Sequence, residues 1–195
     1  MENNTKHYCR PVVLNLEYLE SFKKLFDRWK SPSILGKIYE DNEIFSEPDY
    51  ENILEEEEKL LDIVGDRPMP EESFFKNTLG FSDEHELCKV GVDILKKIYP
   101  DKEIISKGAV YYAPNSFMNW HTNSNCEGKR VYISWSAEKG KNFFRYRTGG
   151  KTTTVYEDKG LCIREFNITK EKPFWHCVGC STHRFSMGFL IDEKI

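Results

Sequence analysis

Residues 174–189 read FWHCVGCSTHRFSMGF, and this stretch decides the fold. It contains the run Phe174–Val178 and the start of a second run, His183–Ile191, both rich in aromatic and aliphatic residues. A Gly-Cys-Ser-Thr segment separates them, and short runs bounded by such residues predict two β-strands joined by a tight connection. Arg184 and Ser186 are two positions apart, so their side chains are expected on one face of the second strand.

Similar short runs, separated by Gly, Asn and Lys, fill the sequence back to Pro100. The further predicted strands are Glu103–Ala113, Lys129–Ser136, Asn142–Tyr146, Thr152–Tyr156 and Leu161–Ile168. Seven or eight short strands at this spacing are typical of a β-sandwich or a jelly-roll. Residues 101–195 are therefore predicted to form a jelly-roll core.

The first hundred residues have a helical pattern instead. Apolar residues recur at three- and four-residue steps over Leu16–Trp29, which predicts an amphipathic helix. A second helix is expected to start near Ser46 and end at Gly65, and a third covers Ser82–Tyr99. Helices first and strands second predict an α+β fold, in which residues 1–100 are the helical part of the same domain and pack on the β core.

The composition excludes several classes of protein. Of the 195 residues, 39% are apolar and 14% aromatic, which is enough to build a buried core. The formal net charge of −4 argues against a nucleic-acid-binding surface that covers the whole molecule. No apolar run approaches the roughly 20 residues of a membrane span, and the N-terminus lacks the apolar core of a signal peptide. We therefore expect a cytoplasmic protein without membrane association, whose six scattered cysteines are reduced thiols.

Two histidines beside tryptophans are candidate metal ligands. His121 stands in the segment Trp-His-Thr-Asn and His176 in the segment Trp-His. A separation of 55 residues (176 − 121) suits two ligands on different jelly-roll strands that meet at the open end of the fold. A mononuclear iron(II) site for oxygen chemistry needs three protein ligands on one face, and the two imidazoles would supply two of them. Either histidine taken alone is more often an ordinary, partly buried side chain.

The position of Arg184 after His176 carries a family resemblance. The pattern His176-x(7)-Arg184-x-Ser186 resembles the iron(II)/2-oxoglutarate oxygenases, whose core is a double-stranded β-helix of the jelly-roll class. The resemblance implies that Arg184 binds the distal carboxylate of 2-oxoglutarate, since a planar guanidinium offers two parallel donors to a carboxylate. Ser186, together with Tyr111 or Tyr112 on an early strand, is implied as a further hydrogen-bond partner of that carboxylate.

The resemblance covers roughly residues 111–189 and implies a hydroxylase that uses Fe(II) and 2-oxoglutarate, with ascorbate in a supporting role. Segments such as Asn142-Phe-Phe-Arg-Tyr and Arg184-Phe-Ser-Met-Gly-Phe also resemble short oxygenase-like proteins of phages and other viruses. That likeness implies that the protein is located in the cytoplasm of a host cell. The primary substrate is left open among a protein, a nucleic acid and a metabolite, because no motif marks the loops that would select it.

One position departs from the family pattern. The usual motif is His-x-Asp or His-x-Glu, whereas this sequence reads His121-Thr122-Asn123. Asn123 is the predicted third ligand, because an amide oxygen binds metals, although it is neutral and a weaker donor than a carboxylate. Glu127 of the same loop, a water molecule, or an aspartate formed by deamidation of Asn123 are alternatives. A different class of function is also left open: a non-catalytic jelly-roll binding module, or a cupin-like metalloprotein without 2-oxoglutarate.

Overall fold

The computed structural model describes residues 54, 55, 58, 75–123, 127–169 and 174–192, and the backbone alone of residues 8–10 and 193. The predicted helix Leu16–Trp29 and most of the helix predicted between Ser46 and Gly65 lie outside these residues. The three described residues of the second helix are helical. The packing of N-terminal helices on the β core therefore stays a prediction.

Nine strands and one helix have both of their ends in the described part of the chain. In chain order they are β1 (Tyr8–Arg10), β2 (Phe75–Phe81), α1 (Glu86–Ile98), β3 (Lys102–His121), β4 (Gly128–Ser136), β5 (Asn142–Thr148), β6 (Lys151–Tyr156), β7 (Gly160–Ile168), β8 (His176–Cys180) and β9 (Arg184–Glu193). The sheet order is β1-β7-β4-β9-β3-β8-β5-β6, with β2 also paired to β3. All pairings among these strands are antiparallel. A curled antiparallel sheet with a helix on one face confirms the prediction of a jelly-roll-like fold.

The long strand β3 turns the sheet back on itself. Its first part, Lys102–Tyr112, pairs with β9, and its last part, Ser116–His121, pairs with β8. Asn115 lies between the two parts with a φ of 58°. Asn77, at the register shift of β2, donates a hydrogen bond from Nδ2 to the Asn115 carbonyl oxygen at 2.9 Å. Asparagine adopts positive φ more readily than most residues, so the sequence suits this corner.

Alternate residues of the strands face two different cores. The outer core lies under α1 and includes Leu87, Leu95, Tyr111, Val131, Ile133, Phe185 and Phe189. The inner core, on the other face, includes Tyr112, Phe144, Phe166, Phe174 and Val178. Residues of β3, β5, β7 and β8 meet in the inner core. The candidate functional site lies on this inner face, within the curl of the sheet.

Helix α1 forms where the sequence predicts its third helix, although it begins four residues later, at Glu86. The His85 side chain caps its N-terminus by accepting a hydrogen bond from the Leu87 amide at 3.3 Å. Its C-cap is Tyr99, and the following Pro100 disfavours a helical conformation at the residue before it.

Two strands come from the part of the chain that the sequence pattern describes as helical. β2 pairs along β3, and β1 pairs with β7. In β2 only Asn77 is buried, and this polar residue breaks the alternation of Phe75, Leu79 and Phe81, so the apolar pattern that marks a strand in sequence is incomplete. Hydrogen bonding to the backbone of β3 and the packing of the partly buried Leu79 and Phe81 against the outer core account for this strand.

Two further expectations concern the cysteines and membrane-spanning helices. Among the described residues, Cys88, Cys177 and Cys180 are buried, Cys162 is partly buried, and none of the four forms a disulfide. In the residues that the structure describes, no helix is both long enough and apolar enough to cross a membrane.

Candidate functional site

The two histidines predicted as metal ligands lie side by side. His121 is the last residue of β3 and His176 is the first residue of β8, and the two are paired in register. Their ring centroids are 4.0 Å apart, and both side chains are buried. Because β3 pairs first with β9 and then with β8, these two residues, which are distant in the sequence, come together.

Both imidazoles are held in the same way. Nδ1 of His121 is 2.7 Å from the Asn119 carbonyl oxygen, and Nδ1 of His176 is 2.8 Å from the Phe174 carbonyl oxygen. Because a carbonyl only accepts, each Nδ1 carries the proton and each Nε2 keeps the lone pair that a metal needs. Burial lowers the pKa of His121 to about 4, against the raising effect of the Asn119 carbonyl, so this imidazole is neutral at neutral pH.

Asn123 lies against the candidate metal-binding nitrogen of His176. It follows the end of β3 by two residues and has a φ of 53°. Its Nδ2 is 2.8 Å from the Tyr132 hydroxyl oxygen and 3.3 Å from Nε2 of His176. Glu127, the alternative ligand, is exposed and does not line the cavity that contains these side chains.

That cavity has a volume of about 470 Å³, within the range of small-molecule sites. Its wall combines residues of β2, β3, β4, β8 and β9. The polar and charged side chains in the wall include Lys107, Tyr112, His121, Asn123, Arg130, Tyr132, His176, Arg184 and Ser186. Residues from five strands therefore line one cavity.

Arg184, the predicted anchor of 2-oxoglutarate, is buried in the cavity wall. Its Nε and Nη2 donate to the two carboxylate oxygens of Glu157, each at 3.0 Å, which makes a bidentate pair. Nη1 has no hydrogen-bond partner among the described residues. The guanidinium carbon lies 5.0 Å from the centroid of the Tyr112 ring. Glu157 thus fixes one edge of the guanidinium and leaves Nη1 to a ligand.

Glu157 also binds a second arginine. Nη1 of Arg164 donates to Oε1 of Glu157 at 2.7 Å and to the Ser134 hydroxyl at 3.0 Å. Burial alone would raise the pKa of Glu157, but the charges of Arg184 and Arg164 outweigh it and hold this pKa at about 2. Two guanidinium groups and one carboxylate leave one net positive charge beside the cavity.

The remaining predicted site residues lie on two different faces of the sheet. Ser186 and Tyr112 line the cavity. Tyr111 belongs to the outer core under α1, where its hydroxyl contacts Nδ1 of His183. Adjacent residues of a strand point to opposite faces, so the structure brings only one of the two tyrosines to the cavity.

Three residues at or behind the site were not anticipated from the sequence: Tyr132, Glu157 and Arg164. Glu157 is one of 32 acidic residues and follows a strand without any distinguishing motif. Arg164 did leave a signal, because it alternates with Phe166 and Ile168 on an otherwise apolar face of β7. A cation at such a position indicates a buried ion pair.

The donors that the structure brings together fit a metal ion. Among the described residues, no group of three or more His, Cys, Asp and Glu side chains could hold one. Two imidazoles that carry their proton on Nδ1 are present instead, with one neighbouring amide whose Nδ2 lies 3.3 Å from Nε2 of His176. This set suits a divalent metal whose third protein ligand is a neutral oxygen.

No protein-family model and no curated protein matches this chain. Among solved structures, a prolyl-4-hydroxylase from Pseudomonas putida is similar with a TM-score of 0.53 and 13% identity, over 98% of this chain and 95% of that chain. An oxidoreductase of the 2OG-Fe(II) oxygenase family from Burkholderia pseudomallei has a TM-score of 0.43 and 11% identity, over 70% and 78% of the two chains. The first similarity shows that this chain has the fold of a prolyl-4-hydroxylase.

Proposed function

We propose that this protein is an Fe(II)/2-oxoglutarate-dependent oxygenase that hydroxylates its substrate. One observation carries the proposal: a single cavity contains the paired imidazoles of His121 and His176 and the buried guanidinium of Arg184. The fold of a prolyl-4-hydroxylase supports the proposal at the level of architecture.

His121, His176 and Asn123 are the residues that would hold the iron. The imidazoles would offer Nε2, since Nδ1 of each is bonded to a carbonyl. The amide would offer its oxygen after a rotation that exchanges it with Nδ2, the atom that faces His176. When bound, ferrous iron would supply the activation of dioxygen that is coupled to decarboxylation of 2-oxoglutarate to succinate. The neutral Asn123 leaves the site more positive by one charge than a His-x-Asp site.

Arg184 would bind the distal carboxylate of 2-oxoglutarate. Its Nη1 is available, while Glu157 keeps the opposite edge of the guanidinium in place. Ser186 shares the face of β9 with Arg184, and Tyr112 contacts the guanidinium. Because Arg164 offsets the charge of Glu157, Arg184 keeps an effective positive charge for a carboxylate.

Aromatic side chains would keep water away from the histidine end of the cavity. Phe144, Phe166 and Phe174 surround the His176 ring, with centroid distances of 5.4, 5.5 and 5.5 Å. The chain's part in the reaction is thus to bind and orient the co-substrate and to protect the reacting groups from solvent.

The test is release of succinate from 2-oxoglutarate by the purified chain with Fe(II), ascorbate and air. We expect 2-oxoglutarate-dependent turnover in the wild type and a loss of at least about tenfold in kcat/KM for Arg184→Gln, which removes a charge-assisted pair. Lys141→Gln, at an exposed residue that does not line the cavity, serves as the matched control. A chain that neither turns over nor binds 2-oxoglutarate would instead be a non-catalytic binding module or a cupin-like metalloprotein.

From the sequence resemblance alone, we also propose a viral origin and action in the cytoplasm of a host cell.

A further inference from the structure

Tyr132 reaches the candidate metal site although it is not one of the predicted ligands. Its hydroxyl oxygen is 2.8 Å from Nδ2 of Asn123, and its ring centroid is 5.9 Å from that of His176. Tyr132 lines the cavity and contacts the one residue, Asn123, that departs from the His-x-Asp pattern. The proposed function by itself gives this tyrosine no role.

The packing of the sheet holds the Tyr132 ring in this place. The ring of Phe166 meets it edge to face, at a centroid distance of 4.9 Å and an interplanar angle of 89°. On β9, the residue paired with Tyr132 is Gly188. An ideal Cβ at Gly188 would lie 3.2 Å from Cε1 of Tyr132, so the lack of a side chain there makes room for the ring. Neighbouring strands therefore set the position of the hydroxyl.

The amide of Asn123 has two different ends, and the end that faces His176 is the donor. Nδ2 lies 3.3 Å from Nε2 of His176, whose lone pair accepts because Nδ1 carries the proton. A metal ion would take this lone pair and would bind the amide through its oxygen. The rotation that turns Oδ1 to the metal would thus end the contact with His176 and exchange the atom that faces Tyr132.

The Tyr132 hydroxyl suits both orientations of the amide. Its oxygen accepts a hydrogen bond from Nδ2, and its proton is available to Oδ1 after the rotation, because a phenol is both an acceptor and a donor. Of the two contacts of the Asn123 amide with Tyr132 and His176, the contact with Tyr132 is the one that a bound metal leaves in place.

We propose that Tyr132 is the positioning residue of the third metal ligand: its hydroxyl holds the Asn123 side chain in the site and donates to the amide oxygen when the metal is bound. This inference rests on the proposed function, in which Asn123 completes the ligand set of His121 and His176. The need for positioning is particular to asparagine. A carboxylate has two equivalent oxygens and is attracted to the metal by its charge, so it depends less on a neighbouring donor.

The test is isothermal titration calorimetry of the metal-free full chain with Mn(II), in a double-mutant cycle of Tyr132→Phe and Asn123→Asp. Tyr132→Phe alone should weaken Mn(II) binding by at least about tenfold, which is a common loss when a hydrogen-bond partner of a metal ligand is removed. In the Asn123→Asp background, the same change should cost no more than about threefold. Tyr156→Phe, at an exposed tyrosine outside the cavity, is the matched control and should leave the affinity unchanged.

Rotation of the amide has a signature of its own. In the ¹⁵N-labelled chain, the side-chain NH₂ resonances of Asn123 are identified by their loss in Asn123→Asp. Addition of the diamagnetic Zn(II) should shift these resonances in the wild type, because Nδ2 leaves both Tyr132 and His176. Resonances that Zn(II) binding leaves in place would overturn the inference, since the amide would then keep its nitrogen towards the site.

Two results of the calorimetry would also overturn it. Unchanged affinity in Tyr132→Phe would mean that another group completes the site, and an equal loss in both backgrounds would mean that Tyr132 does not act through the amide. Should Tyr132→Phe fail to fold, Gly188→Ala, whose Cβ presses on the Tyr132 ring, decides by the same comparison. In each of these cases, Mn(II) binding by the wild type that His176→Ala removes keeps the proposed metal site. Absence of Mn(II) binding in the wild type would remove the metal site and the inference together.

Discussion

Asn123 sets the charge of the candidate metal site. Its amide nitrogen lies 3.3 Å from Nε2 of His176, at the position where the His-x-Asp pattern has a carboxylate. Aspartate has nearly the same shape as asparagine and also adopts positive φ readily, so the φ of 53° does not stand in the way of a substitution. The effect of charge at this position can therefore be measured with little change of structure.

Asn123→Asp should bind Fe(II), or Mn(II) as an air-stable substitute, about 10- to 100-fold more tightly than the wild type, because it adds an anionic donor. Isothermal titration calorimetry of the metal measures this affinity. Glu127→Gln is the matched control and should change little, since Glu127 is exposed and outside the cavity. Mass spectrometry of the wild type detects any aspartate formed at Asn123 by deamidation. Equal, weak affinity in the wild type, Asn123→Asp and His121→Ala would show that these residues form no metal site.

Glu157 joins two buried arginines, and this pairing should be visible in the pH dependence of stability. Its pKa is held at about 2, below the ordinary 4.5, so the stabilisation is complete above the ordinary value and is lost as the pH falls towards 2. A lowering of the pKa by this amount corresponds to about 3 kcal/mol of folding stability. Removal of the carboxylate leaves two guanidinium groups buried without their anion, which costs about 3–5 kcal/mol.

Glu157→Gln should therefore unfold with a lower free energy at pH 7 and lose less stability than the wild type between roughly pH 5 and pH 2.5. Urea denaturation, followed by circular dichroism, gives the free energy of unfolding of the wild type and of the variant at each of these pH values. Parallel pH profiles for the wild type and the variant would show that the pairing does not stabilise the fold.

At the scale of single residues, spacing in the sequence indicated His121 and His176, and the family resemblance added Arg184 and Ser186; all four line one cavity. Glu157 could not be selected, because its role depends on the approach of two other strands. The choice between Tyr111 and Tyr112 depends on strand register, which a shift of one residue reverses.

Among the secondary-structure elements, the strands after Pro100 lie close to their predicted ranges. In this part of the chain, turn residues separate short runs of aromatic and aliphatic residues, so each strand can be recognised from the sequence. The exception is β3, which continues through Ala113 to His121 across a corner with Asn115 at positive φ. The prediction ended this strand at Ala113, before the Pro-Asn pair. Strand β2 was not predicted, since its pairing with β3 depends on tertiary structure.

Helix α1 depends on a close contact between Gly91 and Phe189. An ideal Cβ at Gly91 would lie 2.3 Å from Cζ of the Phe189 ring, which is itself fully buried. Gly91→Ala should thus destabilise the protein by about 1–3 kcal/mol, although alanine favours a helix intrinsically. Urea unfolding measures the change, with Lys89→Ala on the exposed side of α1 as the control. A Gly91→Ala variant as stable as Lys89→Ala would contradict this packing.

At the scale of the whole molecule, the curl of the sheet creates the site. β3 pairs with β9 at one end and with β8 at the other, so His121, His176 and Arg184 face the same space. The jelly-roll class was predictable, because it follows from the number and length of the strands. The cavity and its ion pairs were not predictable from the sequence, since they form only when strands that are distant in the sequence come together.

The central claim is that this one cavity binds a metal at its histidines and 2-oxoglutarate at Arg184. The most direct test is an anaerobic titration of the Fe(II)-loaded full chain with 2-oxoglutarate, followed by visible absorption, because a 2-keto acid chelated to ferrous iron is coloured. We predict a saturable band in the wild type, no band in His176→Ala, and saturation at a concentration at least about tenfold higher in Arg184→Gln. No band in the wild type, or a band that Arg184→Gln leaves unchanged, would contradict the claim.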